Sequence, residues 1–264
     1  AILGTSTNMV QFSLSLYIIL LGLGQIVFGP LSDHVGRRPV LIAGALLFTA
    51  ASFCLAASST VAPFLTFRIV QALGASAALV ATFATIRDIY GERPESTIIY
   101  GMFTSMLACV PALGPIAGAL IAGLFGWRVI FLLLGILGVL AVLRALPMWH
   151  ETRPVHLPAT EKSLLPILCS MSFWTYTLGF SAAMGAFFVF FSTAPRVLIG
   201  KANYTELQFS LAFATVAAVM IAVSRFAGQF AATWGTAGCL PRGMLTIIAG
   251  TVTPSIGLLF FAPS

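Results

Sequence analysis

Charged residues are scarce in this sequence: they make up 8% of its 264 residues, against about 25% in a typical soluble domain. Hydrophobic residues make up 59%, and the mean hydropathy is +1.04. A soluble protein needs a polar surface, which this composition cannot supply. The apolar runs are long and continuous rather than short and alternating, so we predict an all-α bundle of membrane-spanning helices.

Cysteine is also rare, with four residues at Cys54, Cys109, Cys169 and Cys239. They lack the CxxC or Cys/His spacing of a metal site, so we interpret them as packing residues. The sequence has no HExxH motif or aspartate pair for an intramembrane enzyme, and no repeated ring for a channel pore. The net charge of +6 comes from 13 basic residues spread along the chain, which membrane topology explains better than binding to nucleic acid.

Eight apolar segments approach the length of about 20 residues that a membrane span requires. They cover residues 9–29, 40–58, 61–86, 98–124, 128–147, 170–196, 207–230 and 243–262. The longest polar connection separates five spans from three. We predict an N-terminal helix bundle over 1–150, a central loop over 151–168 and part of a C-terminal helix bundle over 169–264.

The basic residues are unevenly divided between the two ends of these spans. Placing the first loop in the cytoplasm puts eight of the 13 basic residues at cytoplasmic ends. Arg128, Arg196 and Lys201 then lie outside, while Arg68 and Arg225 fall within spans. We therefore predict a multi-pass membrane protein with a cytoplasmic central loop.

The first loop is dense in glycine, proline and charge, and reads Gly29-Pro30-Leu31-Ser32-Asp33-His34-Val35-Gly36-Arg37-Arg38-Pro39. Its glycines and prolines predict a tight turn between antiparallel spans. Asp33 lies in the turn region, where it can cap the next helix or pair with Arg37. A generic positively charged loop explains Arg37 and Arg38, but not Asp33 between two glycines.

This segment resembles the signature G-x-L-a-D-r-x-G-r-r of the major facilitator superfamily, which joins the second and third of twelve helices. The resemblance implies that the eight spans are helices two to nine, with the first helix and the last three absent. It also implies a cytoplasmic gating network that includes an acid at the end of the fourth helix. The matching residues are Gly29, Asp33, Gly36, Arg37, Arg38 and Asp88.

Arg68 lies within the third span, where an arginine costs at least ~2.5–3.5 kcal/mol on insertion scales. It must face a partner or water, or snorkel to the nearby interface. Arg68-x-x-Gln71-x-x-Gly74 resembles the R-x-x-Q-G-x-G motif of proton-coupled drug exporters. That resemblance implies that Arg68 and Gln71 belong to a proton and substrate pathway. No Asp or Glu lies near mid-depth of a predicted span, so the proton-carrying acid is not identified.

The fourth span carries a strip of small residues that permits close helix packing. Within it, Gly114-Pro115-x-x-Gly118 resembles the G-P-x-x-G antiporter motif of drug exporters, which is associated with export rather than uptake. Close packing and an antiporter role are both compatible with this strip.

The sixth span is crowded with phenylalanines. They can face lipid, or some can line a cavity for an aromatic, apolar substrate. Helical spacing places Phe180, Phe187 and Phe191 on one face, with Phe188 on another. The candidate cavity residues are Tyr176, Phe180, Met184, Phe187 and Phe191.

Four segments together resemble the chloramphenicol/florfenicol exporters among bacterial drug:proton antiporters: ATFATIRDIYGERPES, VPALGPIAGALI, WHETRP and FFVFFSTAPRVLIG. The resemblance implies efflux of a neutral phenicol in exchange for protons, with no cofactor besides the proton gradient. It implies a monomer in the lipid bilayer of the bacterial inner membrane that confers antibiotic resistance. An exporter of other lipophilic drugs and an uptake carrier are the alternatives.

Overall fold

The computed structural model describes residues 7–91, 93, 96–153, 165–198, 200 and 204–261. Every regular element within these residues is a helix. The bounds are α1 Thr7–Val35, α2 Arg37–Ala57, α3 Val61–Tyr90, α4 Ser96–Phe125, α5 Trp127–Met148, α6 Leu165–Leu168, α7 Met171–Leu198 and α8 Glu206–Phe261.

Each predicted span falls on a helix, and the last two share α8. Among the described residues, five helices are long and apolar enough to cross a membrane. A sixth span arises if the bent pair Ala214–Val223 and Gly228–Gly235 counts as one. The chain is therefore a multi-pass membrane protein, as the hydropathy predicts.

Three glycines with positive φ separate consecutive helices: Gly36 (φ 117°), Gly126 (φ 86°) and Gly235 (φ 68°). The second helix begins at the next residue after Gly36 and Gly126, and Gly235 divides α8 into two parts. Side-chain-bearing residues rarely adopt this conformation, so glycine permits a sharp break between helical segments without a longer loop. The first connection is thus shorter than the predicted one, because α1 continues through Pro30 to Val35.

Residue contacts divide the chain into two compact units. The first comprises 1–100 and 117–157, and the second comprises 101–116 and 158–264. Within the first unit, α3 lies against both α1 and α2, and α5 packs against α2.

The α2–α3 contact is close because both helices present a glycine. A Cβ added to Gly74 would lie 2.5 Å from the backbone nitrogen of Phe48 and 2.7 Å from the carbonyl oxygen of Gly44. Small residues at such crossings let helix backbones approach each other in a membrane. The α2–α3 pair therefore forms a tightly packed centre for the first unit.

Two apolar clusters lie at different depths along the first unit. One contains Val40, Leu41, Ala77 and Ala81, and the other contains Leu55, Ala56, Phe64 and Phe131. Large apolar side chains such as Ile26 and Leu124 are instead 68% and 75% exposed. This outward apolar surface is the arrangement that a lipid environment requires.

Candidate functional site

The network at the first helix junction is centred on Arg37, whose side chain is only 2% exposed. Its Nη2 lies 2.6 Å from Oδ1 of Asp33. Its Nε donates to Oδ2 of Asp88 at 2.9 Å, and its Nη1 donates to Oγ of Ser32 at 2.8 Å. Arg37 therefore joins the ends of α1 and α3, and its side chain contacts two of the other three charged residues of the predicted network, Asp33 and Asp88.

Because Arg37 and Asp88 are buried, each of these charges needs a partner. Asp88 is 7% exposed, whereas Asp33 is 44% exposed. A buried charge is tolerated only when it is paired and hydrogen-bonded, and removing one partner from a buried pair costs about 3–5 kcal/mol. Ser32 completes the arrangement, because its hydroxyl also donates to the carbonyl of Gly29 at 3.0 Å.

Of the two roles that the sequence left open for Asp33, capping the next helix or pairing with Arg37, the structure shows the pairing. Asp33 lies in the last turn of α1, because that helix extends to Val35, and its carboxylate pairs with Arg37 instead. The predicted pairing is present, and the predicted cap comes from elsewhere.

Glu151 supplies that cap from the segment that follows α5. Its carboxylate accepts hydrogen bonds from the backbone N–H groups of Arg37 at 2.9 Å and Arg38 at 3.1 Å. It also accepts from the N–H groups of Thr152 at 3.1 Å and Arg153 at 2.9 Å. Sequence reasoning missed Glu151, because nothing local in the sequence links it to α2.

A second feature, besides the backbone conformation, favours glycine at residue 36. A Cβ added there would lie 2.5 Å from Oε2 of Glu151. The absence of a side chain at Gly36 leaves room for the carboxylate to reach the first turn of α2.

Glu151 is an ionised cap over the ordinary pH range. Partial burial raises its pKa, but the backbone N–H donors of Arg153, Arg37, Arg38 and Thr152 together lower it more. The net pKa lies below the ordinary value of 4.5. The negative charge is also favourable beside the positive end of the α2 dipole.

Two arginines reinforce the same junction. Arg38 donates from Nη2 to the carbonyl of Leu146 in α5 at 2.8 Å. Arg153 donates from Nη1 to the carbonyl of His34 in α1. The basic residues of this end therefore make specific contacts in addition to any effect on topology.

A second polar centre surrounds Arg68 in α3. Its Nη1 donates to the side-chain oxygen of Gln71 at 2.7 Å. The amide nitrogen of Gln71 donates to Oγ of Ser52 in α2 at 2.8 Å, and that hydroxyl donates to the carbonyl of Phe48 at 2.7 Å. Gln71 is 1% exposed and Ser52 is fully buried. The predicted Arg68–Gln71 pair is thus part of a chain of hydrogen bonds between two helices.

Aromatic rings from three helices surround the Arg68 guanidinium. Its carbon lies 5.1 Å from the ring centroids of Tyr17 and Phe131, and 6.0 Å from that of Phe64. Cation–π contacts of this kind stabilise a desolvated cation by up to about 2 kcal/mol. Among the described residues, Arg68 makes no salt bridge, and its buried Nε has no hydrogen-bond partner. The Arg68 guanidinium therefore keeps one buried N–H group, at Nε, that donates to no described acceptor.

The antiporter-motif residues lie in α4. Gly114 is exposed and Gly118 is half-buried, and a Cβ added to either would meet no described atom within 4 Å. Pro115 lies in the same helix, but its side chain falls outside the described part of the structure. Gly114 belongs to the second unit and Gly118 to the first.

Of the candidate cavity residues whose side chains the structure describes, Tyr176 alone lines a cavity in the second unit. This cavity of about 570 Å³ lies between α7 and the second part of α8, and it is lined by Met171, Ser172, Thr175, Tyr176, Gly179, Ala237, Leu240, Pro241 and Met244. Phe180 is 65% exposed, Met184 is half-buried, and Phe187 lies edge-on to Phe188 at 5.8 Å. The side chain of Phe191 falls outside the described residues.

The whole chain, residues 1–264, matches the Major Facilitator Superfamily. The chain belongs to that superfamily. The superfamily consists of transporters rather than enzymes, which agrees with the hydropathy and the first-loop signature.

Several curated relatives are similar along most of the chain. A "chloramphenicol resistance protein" of Pseudomonas aeruginosa is 48% identical over 256 residues, which cover 96% of this chain and 61% of the relative. "Multidrug resistance protein MdtL" of Shigella dysenteriae is 30% identical over 233 residues, covering 87% and 59%. MdtL of Klebsiella pneumoniae is 27% identical over 232 residues, with the same coverage. The chain thus spans about three fifths of the length of these relatives.

Proposed function

We propose that the protein exports phenicol antibiotics, chloramphenicol and florfenicol, across the bacterial inner membrane in exchange for protons. One observation supports the cargo above others: the 48% identity to a chloramphenicol resistance protein along 96% of the chain. Identity to the multidrug resistance relatives is much lower, at 27–30%. The proton gradient is the energy source, and no cofactor is needed.

Within this proposal, Arg68 and Gln71 belong to the proton and substrate pathway. Arg68 is held by aromatic faces and a neutral amide rather than by a described carboxylate. Because the Arg68 guanidinium is positively charged, the site favours a neutral cargo with acceptor groups over a lipophilic cation.

The remaining assignments follow the superfamily pattern. Residues 1–150 form the N-terminal bundle, 151–168 the cytoplasmic central loop, and 169–264 part of the C-terminal bundle. The Arg37 network gates the cytoplasmic side, and Gly114-Pro115-x-x-Gly118 serves export. The transporter works as a monomer by alternating access around a site near the middle of the membrane.

Susceptibility testing in an efflux-deficient bacterial host decides the cargo. The full-length protein should raise resistance to chloramphenicol and florfenicol, and a protonophore should abolish drug efflux. Arg68→Ala should lower efflux about tenfold or more at equal expression, because it removes a buried binding group. Arg144→Ala is the matched control, since it deletes the same charge at an exposed position of α5.

Unchanged susceptibility with the wild-type protein would exclude phenicol export. Resistance to other lipophilic drugs in the same host would favour a broader exporter, as the MdtL names suggest. Drug accumulation above the empty-vector level would instead indicate an uptake carrier.

A further inference from the structure

We propose that Glu151 is a positioning residue of the transport cycle: it fixes the first turn of α2, from which Arg37 reaches its partners in α1 and α3. The inference concerns the gating network and rests on the proposed transport function. It assigns a role to a side chain that lies outside the first-loop signature.

The first turn of α2 lacks a cap of its own. The residue before it is Gly36, and no side-chain hydrogen bond reaches the helix from that position. The first N–H groups of a helix have no partners within the helix. Glu151 accepts from the N–H groups of Arg37 and Arg38, and so satisfies two of them with a single ionised group.

Arg37 takes part in both interactions, through different atoms. Its backbone N–H donates to Glu151, while its guanidinium contacts Asp33 and Asp88. A shift of the first turn of α2 therefore moves the base of the side chain that holds the network together. The ion pairs at 2.6 and 2.9 Å have little tolerance for such a shift.

Glu151 is itself held in place, which a positioning role requires. Its carboxylate accepts from the N–H groups of Thr152 and Arg153, so the segment folds around its own side chain. Arg153 then donates to the carbonyl of His34, and Arg38 donates to that of Leu146. The end of α5 and the segment after it are thus attached to the α1–α2 junction by hydrogen bonds that each side donates to the other.

Two substitutions at residue 151 remove the carboxylate to different extents. Glu151→Gln keeps the length but removes the charge and replaces one acceptor oxygen with a donor group. Glu151→Ala removes the cap entirely. Thr152→Val is the matched control, because Thr152 contributes to this network only its backbone N–H, which valine keeps.

The first measurement is hydrogen exchange of the α2 amides in the purified full-length protein, which requires no cargo. We expect the amides of Arg37 and Arg38 to exchange about tenfold faster in Glu151→Ala, with a smaller change in Glu151→Gln and none in Thr152→Val. Unchanged exchange in Glu151→Ala would overturn the inference. If the alanine variant does not accumulate, the glutamine variant decides by the same criterion.

The second measurement is drug efflux, with rates normalised to the amount of protein in the membrane. Glu151→Ala should lower the maximal rate about tenfold, equivalent to ~1.4 kcal/mol, and leave KM within about twofold. If Glu151 acts through Arg37, its substitution should add little to Arg37→Ala. Additive losses would show that Glu151 acts independently and would contradict the proposal.

Failure of the cargo assignment is distinguishable from failure of this inference. A wild-type protein that does not export phenicols removes the proposed function, whereas the exchange measurement still reports whether Glu151 holds α2. The efflux comparison is then repeated with whichever drug the wild-type protein does export.

Discussion

The junctions at Gly36 and Gly235 have similar backbones and different surroundings. Their φ/ψ values are 117°/157° and 68°/163°, and each connects two helical segments directly. Gly36 is buried beside Arg37 and the Glu151 carboxylate. Gly235 is exposed, and the nearby Arg242 stacks over Trp234 at 4.8 Å and donates to the carbonyl of Gly238 at 2.9 Å.

The contrast shows that the turn and the charge network are separable. A glycine with positive φ breaks the helix at both places. The ion pairs need carboxylates, which Asp33 and Asp88 supply at the first junction, and the helix cap needs the carboxylate of Glu151. Residues 207–264 contain no Asp or Glu. The first junction is therefore fixed by side chains from three parts of the chain. At the second, the contacts that Arg242 makes with Trp234 and Gly238 all lie within α8.

The largest difference between the junctions should appear on deleting their arginines. Arg37→Ala leaves the buried Asp88 without its main partner, so the free energy of unfolding should fall by about 3–5 kcal/mol. Arg242→Ala removes an exposed stacking contact, and its effect should be within experimental error. Thermal unfolding of the purified proteins in detergent, followed by tryptophan fluorescence, measures both. Equal destabilisation by the two variants would refute the contrast.

Replacing each glycine with alanine should also destabilise the first junction more than the second, but the difference in the free energy of unfolding should be smaller. Both variants force a side chain into a sparsely populated conformation, which costs ~1–3 kcal/mol. Gly36→Ala also displaces the Glu151 carboxylate, so it should cost about 1 kcal/mol more than Gly235→Ala. The same unfolding measurement tests this order. Greater damage from Gly235→Ala would mean that contacts with Glu151 contribute little at Gly36.

The smallest expected effect is the pH dependence of the Glu151 cap. Because folding lowers the pKa of Glu151, its contribution is complete above the ordinary value of 4.5 and is lost as pH falls through the folded-state pKa. The difference in melting temperature between wild type and Glu151→Gln should thus be constant from about pH 8 to pH 5 and shrink below pH 4.5. A difference that disappears near neutral pH would indicate another titrating group.

The sequence predicts the helices well because the apolar runs are long. It also predicts the pairs that are close along the chain, such as Arg68 with Gln71 and Asp33 with Arg37. The length of α1 was less predictable, since Pro30 and Gly29 suggest an earlier end than Val35. Local turn signals did not reveal that a single residue, Gly36, completes the reversal.

The periodicity of the sequence does not predict which residues of different helices come into contact. The Arg68 site takes Tyr17 from α1 and Phe131 from α5, and neither is marked by a motif. Glu151 lies 114 positions after Arg37, and only the three-dimensional packing of α5 against α2 brings them together. The Asp88 contact was anticipated only through the family resemblance.

The fit of Glu151 against Gly36 also constrains how this sequence can diverge. A side chain at residue 36 and a glutamate at residue 151 compete for one volume, since a Cβ at the first position would lie 2.5 Å from the carboxylate oxygen of the second. A homologue that gains a side chain at residue 36 should have a shorter residue at 151, or a different cap for α2. Residues 36 and 151 should therefore change together, and an alignment of homologues would show this as correlated substitution.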